Sequence, residues 1–221
     1  MISLSVSSTH PHHSIAVSVQ SVGLTYRTSV DKKPTLKARV KRFGRGGKFS
    51  RTVYALNDVS IDVHYGTVLG IIGSNGAGKS SLMRTLATLQ EADSGSVTLG
   101  DIDVLAEKDK VRKVLGYLPQ EFGVYPRTSA TDLLHHLAIL KGFDNKKERT
   151  EMVDYLLQKV NLFEHRKKAV SSYSGGMRQR FGIAQCLIGS PKLVIVDEPT
   201  AGLDPGERNR FYNILSEIGE Q

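Results

Sequence analysis

Gly73-Ser74-Asn75-Gly76-Ala77-Gly78-Lys79-Ser80 decides the fold of this chain. The spacing G-x-x-x-x-G-K-[ST] is that of a phosphate-binding loop. Its glycines let backbone N–H groups converge on phosphate oxygens with no Cβ in the way. Residues 68–72 before it form a short apolar run, read as a strand, and Leu82, Met83 and Leu86 after it read as a helix. A helix starting there lends partial positive charge to the loop. Lys79 is placed to reach the β- and γ-phosphates of ATP, Ser80 to ligate Mg2+, and Ser81 to help hold phosphate.

Downstream, the apolar run 193–196 ends in Asp197 and Glu198. Carboxylates at the C-terminal edge of a parallel strand lie where ligands bind in such sheets. Asp197 suits a contact to Mg2+ through water, and Glu198 can orient or deprotonate an attacking water. The competing reading, a solvated acidic turn before Pro199, loses ground because a phosphate loop precedes it.

The remaining pattern alternates strands and helices. Residues 15–20 alternate apolar and polar as a half-buried strand does. Residues 54–63, 97–99 and 114–117 are further strands. Ser129 and Asp132 fit a capping box, and Leu133, Leu137 and Leu140 form a helix face closed by Gly142. Met152, Val153, Leu156, Leu157 and Val160 line a second helix. A third begins near Gly176 and carries Phe181, Ala184 and Ile188. Asp204, Pro205 and Glu207 open a last one, lined by Phe211, Leu215 and Ile218. His135 is expected to face solvent. Buried strands alternating with helices predict an α/β fold: a P-loop core with a mainly parallel sheet, an N-terminal antiparallel β part and an inserted helical subdomain at about 121–190.

Between the two phosphate-side motifs lie residues that resemble the ATP-binding subunits of ABC transporters. Tyr173-Ser174-Gly175-Gly176-Met177 resembles the ABC signature, Gln120 the Q-loop glutamine, and Ala201-Gly202-Leu203-Asp204 the D-loop. The resemblance runs from about residue 15 to the end, as one nucleotide-binding domain. It implies a head-to-tail dimer in which Ser174, Gly175 and Gly176 of one subunit face the γ-phosphate held by the other. It also implies that Gln120 contacts the metal, that Asp204 lies at the nucleotide, and that an aromatic residue stacks on adenine, Tyr26 or its rival Tyr54. ATP and Mg2+ are the expected cofactors. The expected partner is a separate transmembrane permease, with this subunit peripheral on the cytoplasmic face of the membrane.

Three departures stand out. Tyr173 and Met177 replace the usual leucine and glutamine of the signature. All 7 histidines precede Asp197, whereas the family's switch histidine follows the D-loop helix. A C-terminal truncation that removes a core strand and impairs hydrolysis is therefore expected. Third, residues 17–72 resemble ATPases of polysaccharide exporters, while residues 82–221 resemble those of drug or antibiotic exporters.

With 221 residues, 39% hydrophobic, the chain is large enough for one α/β domain. It has no apolar stretch of the ~20 residues needed to cross a bilayer. The single Cys186 makes no internal disulfide, which favours a reducing compartment. Residues 1–14 read as a disordered tail whose His10, His12 and His13 have no ordered partner ligand. The net charge of +8 is local: nine of the 30 Lys and Arg residues lie at 32–51, leaving 21 against 22 acidic residues elsewhere. Within this basic insertion, 31–51, Leu36, Val40 and Phe43 share a helical face. The pattern suits an anionic membrane surface, a partner helix or a solvated loop. Nucleic acid is disfavoured, since the body is neutral. The alternative function is a soluble ABC ATPase acting on nucleic acid or ribosomes. Such families carry paired modules or coiled-coil insertions, which are not seen in this sequence.

Overall fold

The computed structural model describes residues 15–29, 50–120, 123, 127–197 and 206. The N-terminal tail, the basic insertion up to residue 49, Glu198, Asp204 and the final helix face all lie outside the described residues.

Strand β1 (Ile15–Ser29) is the spine of a four-stranded antiparallel sheet. It lies between β2 (Ser50–His64) and β3 (Ser94–Leu99), and β3 in turn pairs with β4 (Ile102–Asp103). The predicted alternation is borne out. Val17 and Val19 are buried opposite Leu99 and Val97 on one side and Val63 and Ile61 on the other. Irregularities around Val19–Leu24 shift the register and keep Val22 and Leu24 in the core. Beyond the pairing of Gly23 with Ser94, β1 and β2 continue to Ser29 and Ser50.

Residues 68–72 correct one expectation. Apart from a single bridge at Ile72 they form no strand. Val68 is 89% and Ile72 69% exposed. An apolar run becomes a strand only where a neighbour completes its ladder. No described strand does so here.

Helix α1 (Lys79–Leu86) follows the loop, as predicted. Helix α2 (Lys108–Val114), whose charged face hid it from the periodicity, leads into β5 (Leu115–Leu118). Strand β6 (Leu193–Val196) lies parallel to β5, with Leu118 opposite Val196. Among the described residues, parallel pairing is confined to these two strands. Their residues face two cores, as expected of strands covered on both sides. Leu115 and Ile195 join the antiparallel sheet and α1. Leu118, Val194 and Val196 join the helices α3 (Ala130–Leu140), α4 (Lys146–Lys159) and α5 (Gly175–Cys186).

The predicted cap of α3 is present in altered form. Ser129 Oγ accepts from Asp132 N at 3.1 Å, but it also donates to the Asp132 carboxylate at 2.6 Å instead of leaving that carboxylate to its own backbone. Val153, Leu156 and Leu157 of α4 and Phe181 and Ala184 of α5 are buried, as their spacing predicted. His135 overturns its expectation: it is half-buried, and its Nδ1 accepts from Arg149 Nε at 3.3 Å. Burial, then the neighbouring guanidinium, holds its pKa below the usual histidine value.

Candidate functional site

Gly78 shapes the loop. Its φ of +91° is a left-handed conformation, and a Cβ there would stand 2.3 Å from the Ala55 carbonyl oxygen. Only glycine allows the loop to lie this close to β2 while α1 begins at the next residue. Ala77 N donates to Ser74 O at 3.1 Å, tightening the turn. Ser74, Asn75 and Gly76 are exposed, while Gly73 and residues 77–81 are half-buried. Lys79 Nζ curls back over the loop and donates to the carbonyls of Gly73 and Ser74 at 2.8 and 2.9 Å.

Beside the loop, Ser80 Oγ donates to Asp197 Oδ1 at 3.1 Å. Asp197 is 2% exposed. Its N–H donates to Leu118 O at 2.9 Å, extending the β5–β6 ladder by one step. The same step places Gln120 at this C-terminal edge, two residues past β5. A hydroxyl and a buried carboxylate, both hard oxygen donors, match the ligand chemistry of Mg2+. Among the described residues no group of three His, Cys, Asp or Glu could hold a metal by itself. Tyr117, two residues before the edge, faces Ile195 across the ladder. Burial and then the Asp197 charge push its hydroxyl pKa up, and a hydrogen bond with Arg84 of α1 opposes them. Neither Tyr117 nor Arg84 was singled out from the sequence, since an isolated tyrosine and arginine carry no spacing signal.

The signature residues sit at the start of α5. Ser174 is its N-cap, accepting from Met177 N at 3.2 Å, and Gly175 and Gly176 form the first turn. Tyr173 is buried against Phe181, with its hydroxyl donating to His165 O at 2.8 Å. The structure brings Ser80 and Asp197 into contact, while Gln120 lies two residues past the end of β5 and Ser174 belongs to the helical unit. Tyr26 is half-buried against the sheet core, its hydroxyl 3.5 Å from Gln90 Oε1, while Tyr54 is 72% exposed.

The ABC transporter family model matches residues 56–201. This chain belongs to the ABC transporter family. The match spans the phosphate loop, Gln120, the signature turn and Asp197. Among curated relatives, the uncharacterized ABC transporter ATP-binding protein YdbJ of Bacillus subtilis is 36% identical over 75% of this chain and 52% of its own length. The probable multidrug ABC transporter ATP-binding protein YbhF of Escherichia coli is 35% identical over 74% of this chain and 28% of its own. The ABC transporter ATP-binding protein NatA of Bacillus subtilis is 33% identical over 76% and 68%. The chain therefore spans about half or less of the length of the first two relatives. Among solved structures, the dimeric ATP-binding cassette MJ0796 bound to ADP and Pi superposes with a TM-score of 0.74 at 22% identity, covering 92% of this chain and 83% of that one. The shared fold is that of an ABC ATPase cassette. Among the described residues, no helix is long and apolar enough to cross a membrane.

Proposed function

We propose that this chain is the ATP-binding and ATP-hydrolysing subunit of an exporter whose permease is a separate polypeptide, working peripherally on the cytoplasmic face of the membrane. The observation that carries the reading is the 3.1 Å bond from Ser80 to Asp197, which joins the phosphate loop to the acidic strand end. ATP would bind with its phosphates along residues 73–81, and Lys79 would exchange its two carbonyl partners for β- and γ-phosphate oxygens. Ser80, Asp197 and Gln120 would hold Mg2+, which neutralises phosphate charge. Glu198, next to Asp197 in sequence, would orient and deprotonate the attacking water. Tyr26 would stack on adenine. In a head-to-tail dimer, Ser174 and the amides of Gly175 and Gly176 would meet the partner's γ-phosphate with the positive end of α5, and Asp204 would lie nearby. The dimeric state of MJ0796 supports this pairing.

The names of YbhF and of the linearmycin resistance ATP-binding protein LnrL of Bacillus subtilis, 33% identical, support the drug or antibiotic end of the substrate range. The test is Glu198→Gln. The amide keeps the shape of the side chain but cannot accept a proton. ATP should stay bound and a dimer should accumulate in size-exclusion chromatography. Normal turnover in this variant would remove Glu198 from the role.

A further inference from the structure

We infer that Lys141 is a positioning residue for ATP hydrolysis, fixing the helix that begins at Ser174 against the strand that leads to Gln120. The inference rests on the reading that these two residues act on nucleotide.

Lys141 is the C-cap of α3. Its side chain leaves α3 and donates to two main-chain carbonyls, Leu115 O at 2.9 Å and Ile188 O at 2.8 Å. Leu115 is the first residue of β5, and Ile188 lies just past the end of α5. One ammonium thus ties three elements at a single point. Its pKa is held below the usual lysine range by burial, with nearby Cys186 acting the other way. A charged donor makes stronger bonds than a neutral one, and the C-terminal end of a helix favours a cation.

The joint is tight in its backbone as well. A Cβ at Gly116 would stand 2.4 Å from the carbonyl oxygen of Cys186 and 2.8 Å from its Sγ. Strand β5 therefore lies directly on the last turn of α5. At the other end of α5, Ser174 bonds within its own helix and Tyr173 bonds to His165, not to the sheet. A helix of 12 residues is about 18 Å long. A tilt of about 10° at the joint would therefore displace Ser174 by about 3 Å over that length. Misplacements of about 1 Å already cost roughly a hundredfold in rate. The Lys141 clamp, together with the buried Phe181, Ile183 and Ala184, limits that freedom.

The test uses nitroxide labels on Asp101→Cys, in the turn after β3, and on Arg178→Cys, exposed near the start of α5. Buried Cys186, its thiol pushed up to about 12 by burial, should not label at neutral pH. The unsubstituted Lys141 background should give a narrow distance distribution. K141M should broaden it, leave the affinity for a fluorescent ATP analogue unchanged, and lower turnover roughly ten- to hundredfold. K141R should restore both, since a cavity of about 250 Å³ beside Lys141 has room for a guanidinium. If K141M does not fold, K141Q, neutral and shorter, takes its place. An unchanged distribution overturns the inference, and so does unchanged turnover in a broadened variant. Failure of the signature reading would show separately, as normal turnover in S174R.

Discussion

Ser80 Oγ donates to Asp197 Oδ1 at 3.1 Å, although 117 positions separate the two residues in sequence. The hydroxyl opens α1 and the carboxylate ends β6, so the bond joins the two halves of the site across the core. Because Asp197 is almost fully buried, its charge acts in a poorly screened setting.

Mg2+ should therefore tighten ATP binding in the native chain and fail to do so in Ser80→Ala. Titration of a fluorescent ATP analogue with and without Mg2+ reads this directly. Lys79→Ala should weaken binding in both conditions by about 1.5–3 kcal/mol, roughly ten- to hundredfold. Unchanged affinity would exclude Lys79 from the site.

Gly78→Ala should destabilise the protein by about 1–3 kcal/mol and abolish ATP binding, because φ of +91° and the Ala55 carbonyl leave no place for a methyl group. Gly70→Ala is the control. A Cβ there meets nothing within 4 Å, and its melting temperature should be nearly unchanged. Equal melting of the two variants would contradict this account of the loop.

Tyr26→Leu should weaken ATP binding by about 1–3 kcal/mol, the value of a base–aromatic stack, while Tyr54→Leu leaves it alone. The reverse result would give adenine to the more exposed Tyr54.

Cys186 should resist thiol reagents at neutral pH and react only on unfolding, since burial pushes its pKa up to about 12 in the folded state from an ordinary 9.0. Between these values the folded chain keeps a proton that the unfolded chain releases. Stability should then fall as pH rises, by about 1.4 kcal/mol per unit from this group. Denaturant melts between about pH 9 and 10.5 should show stability falling more steeply in the native chain than in Cys186→Ala, the difference having this slope, while buried Tyr117, Tyr173 and Lys141 contribute equally to both. Parallel curves would refute the assignment.

Much of this was legible in local sequence. The loop 73–80 states its own conformation, because glycine spacing and the lysine–serine pair carry the chemistry within eight residues. The buried faces of α4 and α5 follow from 3.6-residue spacing, and the valines of β1 from alternation. Helix α2 was missed because five of its seven residues are charged, leaving almost no apolar face.

The tertiary structure alone decided the rest. Residues 68–72 are apolar enough for a strand, yet strand formation needs a neighbour's N–H and C=O groups, which no local pattern specifies. His135 looked solvent-facing on its helix until Arg149, from the next helix, packed against it. No local pattern marks Lys141, whose two carbonyl partners belong to Leu115 and Ile188, 26 and 47 residues away. The sequence by itself determined which groups can bind phosphate. The packing of β5, β6 and α5 determined which of those groups meet, because contacts across the core depend on three-dimensional distance and not on chain separation.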